Sequence, residues 1–88
     1  MGNRSRTEIV AMIPDAANEG GETKTKIMYF AFLSYNQLKE YLSVLVENSL
    51  IEYLDGTNKF KTTEKGLNLL KIHYEMTELL QQTTFKNN

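Results

Sequence analysis

Four side chains in one predicted helix can form hydrogen bonds with the edges of nucleic-acid bases or with phosphates: Asn36, Gln37, Lys39 and Ser43. Asparagine and glutamine match the donor and acceptor pair of adenine, and a lysine ammonium suits guanine or a phosphate. Helical spacing places Asn36, Lys39 and Ser43 on one face. Glu40 and Glu47 fall on the same face, where each repels phosphate unless its carboxylate accepts a hydrogen bond from a cytosine amine.

Further cations are candidates for contacts with a phosphate backbone: Arg4, Arg6, Lys24, Lys26, Lys59 and Lys61. Lys24 and Lys26 fall in the first turn of a second predicted helix, where the helix dipole disfavours positive charge and a nearby phosphate would offset that cost. The acids concentrate elsewhere, in a loop and on the last predicted helix: Glu19, Glu22, Glu75 and Glu78. The alternative interpretation, that each lysine is a solvated surface charge, stays open.

Catalytic chemistry has little support in this chain. His73 is the one histidine, cysteine is absent, and a single imidazole without a second ligand makes no zinc site. No glycine-rich phosphate loop follows a strand, and no set of serine, histidine and aspartate has a recognisable motif. We therefore predict that the protein is not an enzyme and uses no metal and no cofactor.

The length and the composition of the chain limit further which class of protein it can be. A chain of 88 residues makes one small domain, which gains stability from pairing with a second copy. The net charge of −1 exerts no global attraction on nucleic acid, so any such binding depends on how the charges are distributed. The chain has no cysteine, no signal peptide and no apolar run near the ~20 residues of a membrane span, and this indicates a soluble cytoplasmic protein.

Two pairs of residues have the capping-box spacing that opens a helix: Ser5 with Glu8, and Ser34 with Gln37. Between the helices that they open, residues 18–22 are typical of a loop, and Thr23 or Thr25 then caps a second helix over residues 24–31. Pro14 lies past the first turn of the first helix. We expect it to kink that helix rather than prevent it, because the apolar spacing continues across it.

The third helix, over residues 35–48, is predicted to bury one side. Its buried line consists of Leu38, Leu42, Leu45 and Ser49. Tyr35 and Tyr41 flank that line, and each is open to two interpretations, a half-buried core residue or a ring that reaches a nucleic-acid partner. The first helix supplies the facing core residues: Ile9, Ile13, Ala16 and Ala17.

A β-hairpin follows the third helix. Residues 50–54 alternate as a strand, Asp55 and Gly56 mark the turn, and residues 59–62 form the returning strand. A two-stranded ribbon of this length is not stable alone, so we expect it to lie against the helices.

The last predicted helix is capped by Thr63, continues to about Gln82 and is apolar on two sides. Gly66 near its start is expected to let another backbone come close. The side assigned to the domain's own core consists of Leu67, Leu70 and Tyr74. The side assigned to a short coiled coil with a second copy consists of Leu69, Ile72, Met76, Leu79 and Leu80. The alternative, one thick core within a single chain, stays open.

Four segments together resemble a known family: T-K-T-K-I-M-Y from residue 23, A-F-L-S-Y-N-Q-L-K-E-Y-L from residue 31, S-L-I-E-Y from residue 49 and T-T-E-K-G-L-N-L-L from residue 62. They look like the archaeal winged helix-turn-helix family, which includes small transcriptional regulators and the ten-kilodalton Sulfolobus chromatin proteins. The resemblance implies a mainly α fold with a small β-hairpin: three helices, a two-stranded wing and a long C-terminal helix. It also implies double-stranded DNA as the partner and a homodimer joined by a C-terminal coiled coil.

The resemblance assigns each part of the chain a role. Residues 5–66 would form the DNA-binding core, with the recognition helix over residues 35–46 and the wing over residues 56–61. Residues 67–82 would form the dimerisation helix, and residues 1–4 and 83–88 would be flexible ends.

Three residues depart from the pattern of that family. Pro14 falls where the first helix is normally unbroken, and Phe32 stands where a polar residue, often asparagine, is common. Ser49 replaces a frequent glycine, so we expect Asn48 to take the left-handed conformation after the third helix. These departures affect the fine geometry more than the proposed binding face.

The working hypothesis is a dimeric transcriptional regulator, associated with the nucleoid, that binds duplex DNA through residues 35–48. Two alternatives stay open. Winged helices also serve as protein-docking modules, and a protein of −1 net charge with a shared apolar helix fits that role. A non-specific chromatin-packing protein is the other, although its dependence on counterion release favours a more basic chain.

Overall fold

The computed structural model describes residues 4–82, which form four helices and a three-stranded antiparallel sheet. The elements in chain order are α1 (Arg6–Ala16), β1 (Glu22–Thr23), α2 (Lys24–Phe30), α3 (Tyr35–Glu47), β2 (Ile51–Leu54), β3 (Lys59–Thr62) and α4 (Glu64–Gln82). The predicted order of three helices, a wing and a long last helix is confirmed. Of the ends predicted to be flexible, residues 1–3 and 83–88 lie outside the described residues.

The helix α1 begins at the predicted capping box. The Ser5 N–H donates to Glu8 Oε1 at 2.8 Å, and the Glu8 N–H donates to Ser5 Oγ at 3.1 Å. Pro14 lies inside α1, which continues through it to Ala16. The Pro14 carbonyl accepts a hydrogen bond from Thr62 Oγ1 at 2.5 Å, and this buried contact ties α1 to β3.

The sheet contains one strand more than the predicted hairpin. β1 pairs antiparallel with β3, so the strand order is β1–β3–β2, and Glu22 lies opposite Phe60. The predicted loop over residues 18–22 is therefore wrong at its last residue, because a two-residue strand has no detectable alternation. Gly21 has φ +94°, and a Cβ there would lie 2.9 Å from the Phe60 carbonyl oxygen, so this close approach requires glycine.

The core joins α3 to the first two helices and to β2. Its largest fully buried aliphatic side chains are Ile13, Ile27, Leu38, Leu45 and Ile51. Leu42 is buried as well, so the predicted inner line of α3 is confirmed for its three leucines. Ser49 is wrong as a member of that line, since it is exposed and lies beyond the end of the helix.

The chain reverses after α3 through two hydrogen bonds that define a Schellman motif. The Leu50 N–H donates to the Leu45 carbonyl at 2.8 Å, and the Ser49 N–H donates to the Val46 carbonyl at 3.0 Å. Ser49 has φ +60° whereas the C-cap, Asn48, has φ −95°, so the expectation that Asn48 would be left-handed is wrong. The physical reason is that this motif places the left-handed residue one position after the C-cap.

The first turn of α4 holds the end of α3 in place. The Gly66 N–H donates to Thr63 Oγ1 at 3.0 Å, which confirms Thr63 as the cap. The Lys65 ammonium donates to the Asn48 carbonyl at 2.9 Å, where a cation also suits the negative end of α3. A Cβ on Gly66 would lie 2.2 Å from the Leu50 carbonyl oxygen, which confirms that this glycine permits a close backbone approach.

Beyond these turns, α4 is covered less than predicted. Leu70 is buried, but Leu67 and Tyr74 are 43% and 50% exposed, so their assignment to the core is wrong. For Tyr74 the reason is length, because the 19 residues of α4 make a helix of roughly 28 Å, against roughly 16 Å for α1 beside it. Partial burial, then a hydrogen bond to Asp15 and the charge of that carboxylate, raise the pKa of Tyr74 above its usual value.

Replacement of Gly66 by alanine should lower the free energy of unfolding by about 2–3 kcal/mol. The new methyl group would overlap the Leu50 carbonyl oxygen and lie 2.6 Å from Thr62 Cγ2. Urea denaturation followed by circular dichroism measures the change. Asn68→Ala, at an exposed position of the same helix, is the control and should stay within about 0.5 kcal/mol of the parent. An unchanged midpoint for Gly66→Ala would contradict the packing described for this turn.

Candidate nucleic-acid interface

The outer face of α3 is open to solvent. Asn36, Lys39 and Ser43 are exposed, and so are Glu40 and Glu47 on the same face. The opposite face of the helix is occupied by the buried leucines, Leu38, Leu42 and Leu45. Helix periodicity therefore leaves the polar face free to contact a partner.

The capping box at the start of α3 restricts what Gln37 can do. Ser34 Oγ accepts a hydrogen bond from the Gln37 N–H at 3.1 Å, and Gln37 Oε1 accepts one from the Ser34 N–H at 2.9 Å. A bidentate contact with adenine needs both the oxygen and the nitrogen of a side-chain amide. Because the cap holds its oxygen against the Ser34 N–H, the Gln37 side chain is not free to align both groups with an adenine, and its NH₂ group is the part that it offers to a partner. Asn36 makes no side-chain hydrogen bond within residues 4–82 and keeps both groups.

Two lysine ammonium groups lie close to the ring of Tyr35 at the start of α3. Tyr35 is 54% exposed, so part of its side chain is open to a partner, and its contact with DNA stays a prediction. The ammonium groups of Lys24 and Lys39 lie 5.8 and 5.5 Å from the ring centroid. Cation–π attraction at exposed sites is worth about 0.5–1 kcal/mol, enough to bias both lysines toward this end of the helix. Tyr41, by contrast, packs partly buried against the core, as its structural interpretation predicts.

Arg4 has a structural role that sequence reasoning missed. Its guanidinium donates hydrogen bonds to the carbonyl oxygens of Ala31 and Phe32, the second at 2.9 Å, and its carbon Cζ lies 5.9 Å from the centroid of the Phe32 ring. These contacts tie the residue before the α1 cap to the turn between α2 and α3. No local spacing signals a contact across 27 and 28 residues, so the sequence contains no pattern that would have found it. A phosphate contact by the remaining donors of Arg4 stays a prediction.

Arg6 and Lys26 are exposed on the first turns of α1 and α2. Arg6 lines a shallow depression together with Glu40 and Val44, so the first turn of α1 adjoins α3. Lys26 approaches Glu22 at 4.0 Å, and an exposed pair of this kind is worth roughly 0–1 kcal/mol. The phosphate contacts assigned to both residues stay predictions.

The wing carries Lys59 and Lys61 on β3, and both are exposed. The register of the hairpin places Glu52 opposite Lys61 and Leu54 opposite Lys59. Directly opposed residues of an antiparallel pair share one face of the sheet, so Glu52 offsets part of the charge of Lys61. Lys59 is therefore the stronger candidate for a phosphate contact.

Other chemistry has less support in the described part of the chain. Residues 4–82 contain no group of three or more His, Cys, Asp or Glu side chains that could hold a metal ion. His73 Nδ1 is buried and has no hydrogen-bond partner among residues 4–82, and the ring centroid of His73 lies 5.9 Å from that of Tyr74. None of the helices in residues 4–82 combines the length and the apolar composition that a membrane-spanning segment requires.

Known proteins share this sequence pattern and architecture. A family model described as winged helix-turn-helix matches residues 3–81. An uncharacterized protein of Methanocaldococcus jannaschii is 34% identical over 77 residues, which cover 88% of this chain and 77% of that protein. The crystal structure of Sso10a-2, a DNA-binding protein from Sulfolobus solfataricus, matches with a TM-score of 0.77 and 23% identity over 90% of this chain and 84% of that chain. At this identity, the structural match shows a shared fold.

Proposed function

The chain belongs to the winged helix-turn-helix family, and from that premise we propose that it binds double-stranded DNA as a dimeric transcriptional regulator of the nucleoid. In the proposed complex α3 lies in the major groove, the wing contacts the DNA backbone, and α4 joins two copies. The observation that carries the proposal is the exposed polar face of α3, whose other side is locked into the core. Sso10a-2, which has the same fold, is described as a DNA-binding protein, and this supports the proposal.

The groups on α3 suit base edges in different ways. Asn36 has both halves of its amide available, so it is assigned the bidentate contact with adenine. Lys39, drawn toward Tyr35, is assigned to guanine or to a phosphate near the start of the helix. Ser43, one turn further on, can donate or accept. Gln37 contributes the donors of its NH₂ group because its oxygen completes the cap.

The distribution of charge supports selective binding over general packing. Lys24 and Lys39 gather at the start of α3, and Lys59 lies exposed on the wing. Glu40 and Glu47, exposed on the recognition face, weaken the attraction to phosphate wherever no cytosine amine pairs with them. A protein that relied on counterion release alone would gain by losing both acids. The presence of Glu40 and Glu47 therefore favours a protein that recognises a specific base sequence.

The proposed dimer uses the second apolar side of α4. Ile72, Met76 and Leu80 are exposed on this helix in the single chain, Ile72 by 61%, together with Leu79, while Leu69 is partly buried. Exposed apolar side chains at spacings of three and four are typical of a helix that packs against another helix. The seam covers about two heptads, and burying it would give a marginal 88-residue domain the additional core that it lacks.

A charge in the proposed seam should split the dimer. We expect the parent protein at micromolar concentration to scatter light as twice its chain mass of 10.1 kDa, and Ile72→Asp to scatter as one chain with its helical signal retained. Gln81→Glu adds the same charge at an exposed position on the side of α4 away from the seam and should leave the dimer intact. A parent mass near 10.1 kDa at every concentration would remove the dimer from the proposal.

The proposed DNA contacts differ in how strongly their contribution to affinity depends on the base sequence of the duplex. A duplex selected from a random library should lose about 10- to 100-fold in affinity with Asn36→Ala plus Lys39→Ala, and random DNA should lose much less. Lys59→Ala should weaken both duplexes by a similar factor and lower the slope of log K against log salt by about one. Lys71→Ala on α4 removes the same charge from an exposed position outside the proposed interface and is the control.

Each outcome of this titration decides between the candidate functions. Equal losses on selected and random DNA would favour a chromatin-packing role over a regulator. If no duplex binds at low salt, DNA binding is wrong and the protein-docking function takes its place.

A further inference from the structure

In the turn between α2 and α3, one large aromatic side chain is exposed to solvent, and its backbone has an unfavourable conformation. Among the large apolar side chains of residues 4–82, Phe32 is the most exposed, at 79%. Its φ is +52°, in the left-handed region that bulky side chains rarely adopt. The exposed ring and the left-handed backbone both lower the stability of the isolated domain. Such outliers concentrate at functional sites, where the surroundings enforce them.

The left-handed conformation of Phe32 has a clear local cause. The Leu33 N–H donates to the Met28 carbonyl at 3.1 Å, and the Phe32 N–H donates to the Tyr29 carbonyl at 3.3 Å. These are the two bonds of a Schellman motif, with Ala31 as the C-cap of α2. In this motif the residue after the C-cap is left-handed, a conformation that glycine and asparagine adopt most readily. Phenylalanine therefore brings a ring to a position where the fold itself favours a small or polar residue.

The backbone of this turn is held firmly while the ring stays exposed. Arg4 donates to the carbonyl oxygens of Ala31 and Phe32, which lie before and after the Cα atom of Phe32. Leu33, the next residue, is buried, and Ser34 then caps α3. Phe32 is thus presented from a fixed position two residues before the cap of the proposed recognition helix.

We infer that Phe32 packs against the C5-methyl group of a thymine in the major groove. This inference rests on the proposed DNA binding by α3. The N-terminal residues of a recognition helix contact base edges, and the thymine methyl is the apolar group that the major groove presents to side chains such as phenylalanine. Cations lie close to both aromatic rings at the start of α3: Arg4 is beside Phe32, and Lys24 and Lys39 are beside Tyr35, three residues further along the chain. An apolar side chain close to cations that are assigned to phosphate contacts is suited to a base contact in a groove.

A neighbouring aromatic provides the contrast. Tyr29 is 70% exposed, and it lines a surface cleft of about 420 Å³ together with Asp15, Glu22 and Lys26. The Lys26 ammonium lies 4.0 Å from Glu22 in this cleft. Two carboxylates against one ammonium leave this cleft with a net negative charge, which disfavours a nearby phosphate, so Tyr29 serves as the matched control.

The test replaces each thymine of the selected duplex, one at a time, with deoxyuridine, which lacks the methyl group. Fluorescence anisotropy should show that the parent protein loses about fourfold in affinity at one position of each half-site, the factor for one buried methyl group. Phe32→Ala and Phe32→Asn should show no loss at that position and an unchanged response elsewhere. Asparagine tolerates the left-handed backbone, so Phe32→Asn should keep the thermal stability of the parent. Tyr29→Ala should keep the parental response to deoxyuridine.

Two results would overturn the inference and leave DNA binding intact. One is a parent protein that is indifferent to deoxyuridine at every position. The other is a Phe32→Asn variant that keeps the parental loss. Failure of every duplex to bind at low salt is a different result, because it removes the proposed function and this inference together.

Discussion

The burial of three leucines along one side of α3 determines what this molecule offers to a partner. Full burial of one leucine contributes roughly 1.5–3 kcal/mol, against about 1 kcal/mol for a helix cap and about 0.5–1 kcal/mol for an exposed cation–π contact. Packing therefore sets the rotation of the helix, and the polar contacts only adjust its outer side chains. Any rotation that hid Asn36 or Lys39 would bring a leucine into water.

The surroundings of α3 connect it to the wing. Thr23 is the last residue of β1, and its hydroxyl also caps α2 by accepting a hydrogen bond from the Lys26 N–H at 3.3 Å. β1 pairs with β3, the central strand of the sheet, so the wing is joined to the start of α2. At the other end, the first turn of α4 packs against the reversal at Leu50. The helices α2 and α3 and the wing are consequently held together as one unit.

Local patterns were sufficient to predict most of this fold, because caps, apolar periodicity and hairpin turns each act within a few residues. The capping boxes at Ser5 and Ser34 are the clearest cases. What could not be predicted depends on distant partners. The strand β1 exists only because β3 passes beside it, and Arg4 is engaged by a turn that only the folded chain brings near. Tyr74 was assigned to the core because the length of α4 relative to its neighbours cannot be derived from periodicity.

The central claim is that the polar face of α3 and the wing together contact DNA, while α4 serves another purpose. It is tested most directly by following the backbone amide signals of ¹⁵N-labelled protein in NMR spectra as the selected duplex is added. The account predicts that the largest shift changes occur over residues 34–43 and 59–61, and that the amides of α4 after Leu70 stay in place. Changes confined to α4, or to the cleft beside Tyr29, with α3 unaffected would contradict it.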